Sequence, residues 1–497
     1  MSDDSHKKEP SRALTTDLLR NTGWGLGTVV FLLGAGLVPL ACGTRYAEKR
    51  DDVVDVPDSY ANATVEGESL DRWCSDFGAP QLEKLVDQTF QKNLDLRASW
   101  ARLKQADASA REAGAGRWPI LSAEASWSRT EQPSLPPQVE IDKNQLKASI
   151  GVNYEVDLYG RMANLHQAAK LDRRAARADV EAMAISMTSQ VAENWFNLVH
   201  QRAKADLIDE QIDITEDFLE ITLLRLSRGR ATALDVNQQK QQVQSLEGQL
   251  ENVKARIETA KHQLAILVGE PPQNHVAGQR RTLPDLPERP DSGVPADLLN
   301  RRPDLRAALY RLKAADKRTA AAVKDQFPSI QLSTSLFYQA PNLDQLFEDI
   351  FWTALVSATQ PLFDGGRRFA AVDRAEATAE AQLYNYGKTL LTALREVEDA
   401  LVLETQQDKL IESLEEQKES AEQALRLARQ RYQRGATDYL RVLTALQSLQ
   451  SVEQTLLDSR RQQFSHRLQL CRALGGTWTN NLEAPESMRD NDEGNEQ

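Results

Sequence analysis

The sequence predicts a mainly α chain with a smaller β portion, the whole plan written twice. Three observations predict it. First, the text repeats: Asp95-Leu96-Arg97-Ala98 returns as Asp304-Leu305-Arg306-Ala307, an offset of 209. Arg102-Leu103-Lys104, Ala106-Asp107 and Pro119 return at the same offset. From Gly160-Arg161 onward the offset is 206, which pairs Arg228-Gly229 with Arg434-Gly435, Leu234 with Leu440 and Gly269 with Gly475. Second, two runs of 68 residues, 161–228 and 367–434, contain no proline and a single glycine, Gly387. Third, four short segments alternate apolar and polar side chains, two in each half. A unit of roughly 200 residues is far longer than a solenoid repeat, so the object is two copies of one architectural unit.

In chain order, residues 1–41 read as a leader. Trp24 to Ala41 is uncharged and apolar, follows Lys7, Lys8, Arg12 and Arg20, and stops at Cys42. Residues 42–78 read as an irregular segment. The first repeat, 79–270, opens with helix over Gln81–Gly114, ended before Pro119. A strand follows with Leu121, Ala123, Ala125 and Trp127 on one face, then a proline-containing loop. A second strand runs Lys147–Asp157, with Ala148, Ile150, Val152, Tyr154 and Val156 on one face. The long helix 161–228 spans about 100 Å at 1.5 Å per residue. It ends at Gly229, and a shorter helix runs from Ala233 to Val268. Residues 271–299 form a linker; seven prolines from Gly269 through Pro303, six of them in the linker itself, keep it out of regular helix. The second repeat, 300–478, carries strands around Ile330–Tyr338 and Trp352–Ala358, the long helix 367–434, and a shorter one from Asp438 to Leu474. Residues 479–497 read as an acidic disordered tail.

Bulk properties exclude several classes. Net charge is −13 with no Lys/Arg block, which argues against nucleic acid. After the leader, no stretch approaches the ~18–20 apolar residues of a membrane helix. The six histidines form no metal-binding spacing. Gly387-Lys388-Thr389 lacks the upstream glycine of a phosphate loop, and Glu415-Glu416 reads as a solvated helix face. No catalytic, cofactor or metal site is expected, and the chain reads as a passive conduit, not an enzyme. Cys74 and Cys471 read as separate thiols, with a disulfide between them left open.

The strand pattern suits a membrane barrel wall, with lipid on one face and water on the other. One chain has four such strands, and closed barrels begin at about eight, filled by their own side chains. An open lumen therefore needs at least three copies and twelve strands. Helices of about 35 residues stacked end to end match one long helix, so each half can supply one continuous and one composite column; Gln81–Gly114 would stack on Ala233–Val268.

Specific pieces across residues 70–478 carry a resemblance. They are Asn300-Arg301-Arg302-Pro303-Asp304-Leu305, the strand-to-helix junctions Tyr154–Arg161 and Pro361–Arg367, and the hairpin tips Arg228–Val236 and Arg431–Leu440. They resemble the TolC-like outer-membrane efflux proteins, in the lipoprotein branch typified by OprM and NodT. The resemblance implies a homotrimer, with a 12-stranded outer-membrane β-barrel continuous with a 12-helix periplasmic α-barrel. It implies an exit duct for small toxic compounds in a tripartite system with a periplasmic adaptor and an inner-membrane transporter of the RND type. The alternatives are the exit duct of a type I protein secretion system and a coiled-coil adaptor without a pore.

The resemblance also assigns residues. Val38-Pro39-Leu40-Ala41-Cys42 resembles a lipoprotein cleavage site, with Pro39 where leucine is usual, making Cys42 the lipid anchor in the outer membrane; an uncleaved anchor or ordinary signal peptide is the alternative. The tips that dock the adaptor are Arg228, Gly229 and Thr232 in the first half, and Arg434, Gly435 and Thr437 in the second. The aperture positions are Asp235, Leu440, Arg441 and Thr444. Asp235 and Arg441 occupy matching positions, and an ion pair between them, within or between chains, is expected to hold the aperture shut.

Overall fold

The computed structural model describes residues 46–61, 77–132, 141–274, 278–476 and 478–488. The leader, Cys42 and Cys74 lie outside the described residues; Cys471 is buried. The elements run α1 (Pro80–Lys92), α2 (Leu94–Ala115), β1 (Ile120–Gln132), β2 (Ile141–Val156), α3 (Arg161–Ser227) and α4 (Ala233–Val268). The second half supplies α5 (Leu298–Arg301), α6 (Pro303–Lys324), β3 (Ser329–Ala340), β4 (Ile350–Thr359), α7 (Arg367–Gln433) and α8 (Tyr439–Leu474). The two long helices are both 67 residues, and α4 and α8 are both 36.

The four strands form one antiparallel sheet in the order β1-β2-β3-β4. Its register places Ala123 beside Ile150, Ile150 beside Leu336, and Leu336 beside Trp352. One row along, Ala125, Ala148, Tyr338 and Ile350 line up in the same way. Because side chains alternate with period two, this register gathers the apolar sets of all four strands onto one face. The other face carries Ser126, Lys147, Gln339 and their neighbours, with Ser333 donating to Asn153 at 2.9 Å. Phe337 and Phe351, which interrupt that polar face, stack at 5.4 Å under the Lys147 ammonium. Where strands give way to helices, apolar side chains stand in the open: Trp118, Leu158, Leu362, Phe363 and Phe369, with Phe363 91% exposed.

Two expectations are corrected. The helix over Gln81–Gly114 is two helices, broken at Asn93 (ψ 128°). The Asn93 side chain accepts from Leu96 N at 2.9 Å and donates to the Leu267 carbonyl at 2.8 Å, so it caps α2 and ties it to the end of α4. Arg302, its repeat equivalent, donates to the carbonyl of Ala473, the equivalent of Leu267, at 3.1 Å. Both stacking joints are tight. A Cβ on Gly269 would lie 2.5 Å from the Lys92 carbonyl oxygen, and one on Gly475 2.9 Å from that of Arg301. The composite columns are therefore α2 on α4 and α6 on α8.

The second correction concerns the chain's end. Residues 479–488, read as part of a disordered tail, follow Trp478 along α2 and α3. Trp478, Leu482, Ala484 and Met488 pack against buried Leu96, Trp100, Val180 and Ala184. Arg177 donates to the Leu482 carbonyl at 2.6 Å and Lys104 to the Met488 carbonyl at 2.8 Å. Acidic composition masked three apolar side chains, Leu482, Ala484 and Met488.

Mid-helix Gly387 also has a cause. The N-terminal segment crosses α7 there, and a Cβ would meet a Val53 methyl at 2.8 Å. On the neighbouring α6, the Asp316 carboxylate accepts from the backbone N–H groups of Tyr46 (3.2 Å) and Ala47 (2.8 Å).

The core of α3 contains one titratable group that should register in stability. His200 is buried, and burial lowers its pKa to about 4, outweighing the pull of Asp458, whose carboxylate stands 3.0 Å from Nε2. The unfolded histidine titrates near 6.5. Between those values the unfolded state binds the extra proton, so stability falls as pH drops from about 6.5 to about 4 and then levels off. The loss is on the order of 3 kcal/mol. Urea unfolding of His200→Gln across that window should lack this component of the slope.

Candidate functional site: the hairpin tips and the sheet

The chain has two candidate functional ends, and each is built by local rules. At the helical end the two hairpin turns are closed in the same way. Gly229 and Gly435 take positive φ (68° and 73°) after the last helical turn. Arg230 N–H reaches back to Arg225 O at 2.8 Å, and Ala436 N–H to Arg431 O at 2.9 Å. Gly229 and Gly435 themselves donate to Leu226 O and Tyr432 O. This pair of bonds satisfies the orphan carbonyls of a helix end and requires the left-handed conformation that glycine adopts without penalty. Arg228 and Arg434 are therefore the last capping residues of α3 and α7, exposed at the turn.

The starts of α4 and α8 differ. Thr232 forms a capping box: its hydroxyl accepts from Asp235 N at 3.2 Å, and Asp235 Oδ2 accepts from Thr232 N at 2.8 Å. A cap of this kind stabilises by about 1 kcal/mol. Asp438, at the matching place, makes no side-chain cap bond. The expected Asp235–Arg441 pair is not made within one chain: the Asp235 carboxylate is engaged with its own turn, and Arg441 is exposed and makes no ion pair among the described residues. Thr444 is exposed, its hydroxyl donating to Leu440 O at 2.9 Å. Leu440 is 54% exposed and Thr437 half-buried.

The structure adds residues that the sequence reading passed over. Leu234 is 65% exposed and is the repeat partner of Leu440, so each turn presents one leucine. The 206-residue offset carried that signal. Inside the turns, Tyr439 is buried and donates its hydroxyl to Gln239; burial pushes its pKa up to about 12, keeping it a donor. Arg225 lies over the Tyr432 ring at 4.1 Å, tying the end of α3 to the end of α7. Above them runs a seam of buried amides. Gln239 donates to Thr215 O at 2.7 Å, Gln450 to Thr215 Oγ1 at 2.9 Å, and Gln211 to Gln450 O at 3.2 Å. Polar groups in a helical seam fix register at a cost in stability. Here they lock the α3–α4 hairpin against α8 across the two halves.

At the other end, the sheet presents the apolar face described above, and β1 and β4 each pair on one side only among the described residues. At the base of the strands, Arg161 pairs with Glu155 at 2.7 Å, and Tyr159 stacks on Phe327 at 4.9 Å. The first contact ties β2 to the start of α3, and the second ties that junction to the turn between α6 and β3. No group of side chains among the described residues could hold a metal ion, and no described helix is long and apolar enough to cross a membrane.

Comparison with known proteins gives a consistent answer. The family model for outer membrane efflux proteins matches residues 85–270 and 294–476. The pyoverdine export outer membrane protein OpmQ of Pseudomonas aeruginosa is 29% identical over 463 residues, 90% of this chain and 96% of its own. The solvent efflux pump outer membrane protein SrpC of Pseudomonas putida is 30% identical, covering 81% and 87%. The solved outer-membrane channel OprN superposes with a TM-score of 0.79 at 26% identity, over 86% of this chain and 98% of that one.

Proposed function

The chain belongs to the outer membrane efflux protein family, and from that premise we propose that three copies form the outer-membrane exit duct of a tripartite efflux system. The observation that carries this is a sheet of four strands with one continuous apolar face and two edges that are unpaired among the described residues. Four strands enclose nothing, and an exposed edge in lipid leaves backbone groups unsatisfied. Setting β4 of each copy against β1 of the next gives twelve antiparallel strands, a barrel wide enough for an aqueous lumen. Trp118, Leu362, Phe363 and Phe369 then sit at the membrane–water boundary, where amphipathic and aromatic side chains anchor a barrel.

Below the barrel, the 67-residue helices reach about 100 Å into the periplasm. The turns at Gly229 and Gly435 dock a periplasmic adaptor, which joins an inner-membrane transporter of the RND type. Leu234 and Leu440, with Arg441 and Thr444, face the aperture. The OpmQ and SrpC names give those relatives different cargoes, pyoverdine and solvents. Selection of cargo is therefore assigned to the pump, and the duct passes small toxic compounds without energising them. Cys42 is the lipid anchor. What supports it is the tie of Tyr46 to Asp316, eight residues (about 12 Å) from the strand-side end of α6.

Purified protein should have the mass of three chains and form single channels in planar bilayers. A monomer, or an intact trimer without conductance, would overturn the proposal and favour the poreless adaptor. For the aperture, we propose that Asp235 and Arg441 meet between chains. Arg441→Glu should then raise conductance with trimer mass unchanged; an unaltered conductance removes the pair from the gate.

A further inference from the structure

The charges of this chain are sorted along the long helices, and the sorting singles out the turns. Over 221–240 and 425–444, which contain the two turns, nine cations stand against two carboxylates, Asp235 and Asp438, in a chain of net charge −13. Just above, α3 carries Asp213, Glu216, Asp217 and Glu220, and α7 carries Glu415, Glu416, Glu419 and Glu422. All but one of the nine cations, Lys240, are arginines.

These arginines differ from those elsewhere in the molecule. Arg161, Arg173, Arg306 and Arg467 each face a carboxylate. Arg228, Arg230, Arg431 and Arg434 are all exposed and make no ion pair among the described residues. Arg225 and Arg429 lie over aromatic rings, Tyr432 at 4.1 Å and Phe218 at 5.6 Å. A ring face holds a guanidinium in place without cancelling its charge. Helix polarity accounts for part of the cluster, since cations are favourable at a helix C-terminus, where Arg228 and Arg434 stand. It does not account for Arg230 or Arg441, which lie on the N-terminal side of α4 and α8, where a cation opposes the dipole.

The two turns also share one arrangement. Arg225-x-x-Arg228-Gly229 and Arg431-x-x-Arg434-Gly435 each set two guanidinium groups three residues apart at the end of a helix, on neighbouring positions of one face. Each pair is followed by an exposed leucine, Leu234 or Leu440. Like charges held this close repel, and an anion between them relieves the repulsion. The planar guanidinium matches a carboxylate through two parallel hydrogen bonds. An apolar side chain rimmed by arginine is the composition of a protein interface.

We propose that the turns form an acid-seeking docking surface. The adaptor that meets them presents carboxylates, one to each Arg-x-x-Arg pair, with apolar side chains over Leu234 and Leu440. This rests on the reading of the turns as the adaptor's docking end, and adds the chemistry by which a partner is chosen. The acidic stretches above serve the same selection: an acidic partner is drawn to the turns and repelled from the shafts of the helices. Arg441 stays with the aperture.

The test places a benzophenone amino acid at Ala436, exposed beside Arg434, in the full-length protein in cells. After illumination, peptide mapping should join Ala436 to a second protein through a segment with Asp or Glu within about one helical turn. Arg228→Glu/Arg434→Glu should cut the adduct about tenfold or more, and Arg228→Lys/Arg434→Lys, which keeps the charge, should retain most of it. Changing the mapped carboxylate of the captured protein to arginine should restore the adduct to the glutamate variant. A mapped segment without carboxylates, an adduct indifferent to charge reversal, adducts to lipid or cell-wall glycan alone, or no adduct would each overturn the proposal. Trimer mass and single-channel conductance of the purified proteins are read alongside. Their absence in the unsubstituted protein overturns the duct reading, whereas loss of the adduct with both intact bears on the docking chemistry alone. If the glutamate variant does not assemble, Arg228→Gln/Arg434→Gln removes the charge without reversing it and should lose the adduct in the same way.

Discussion

Leu336→Arg should abolish assembly of the trimer, while Ser149→Arg should leave it intact. The two positions lie on neighbouring strands but on opposite faces. Leu336 sits mid-strand between Ile150 and Trp352, in the middle of the apolar face. Ser149 lies between Glu124 and Phe337 on the polar face, where an arginine has a carboxylate to meet. A cation on the lipid face near the bilayer midplane costs about 2–4 kcal/mol per chain. A trimer incurs that three times over, at the very surface that makes insertion favourable. The lumenal arginine incurs no such cost; it adds three positive charges to the pore and should shift conductance and ion selectivity. Oligomer mass after detergent extraction, followed by bilayer recordings, checks both. If Leu336→Arg yields normal trimers, the apolar face does not meet lipid, and the barrel reading fails with it.

That face was legible in the sequence because its signal is local: period-two alternation needs only the strand itself. The same holds for the long helices, where the lack of proline and glycine is the evidence, and for the tips, where glycine marks a left-handed turn. What escaped depended on partners far along the chain. Asn93 reads as an ordinary helical residue until the Leu267 carbonyl arrives from a helix 174 positions away. The strands run beyond their alternating cores because the backbone ladder continues through polar positions, with Arg129 opposite Asn144 and Glu131 opposite Asp142. Gln211, Gln239 and Gln450 carry no local mark of burial, yet all three are buried, and Gln450 donates to the Gln211 carbonyl. The capping box at Asp235 was missed although its Thr-x-x-Asp spacing is local. The lesson is one of range: periodicity and caps are written locally, whereas buried polar pairs need the tertiary map.

The largest of those polar pairs supports a second strong expectation. Glu404 on α7 is fully buried and accepts from Arg467 on α8, whose guanidinium also donates to the carbonyls of Pro287 and Glu288 in the linker. Arg289 closes the cluster at 3.2 Å. This cluster fastens the irregular linker to the bundle with two guanidinium groups around one carboxylate. Glu404→Gln keeps the volume and removes the charge, leaving Arg467 buried without its counterion, a change that costs about 3–5 kcal/mol. It should lower the urea midpoint of the helical signal and expose Arg280 and Arg281 to trypsin as the linker loosens. Glu404→Leu with Arg467→Met separates the two effects. An apolar pair of similar volume is often neutral or stabilising where an ion pair is buried, so the unfolding midpoint should recover. Methionine has no N–H to give to Pro287 and Glu288, so the linker should stay open to trypsin. Recovery of both would mean that the linker is held by Leu283 and Leu286 packing on the core. Recovery of the midpoint alone shows that the charge cluster serves to position the connection between the two repeats, at a cost in stability that the apolar pair removes.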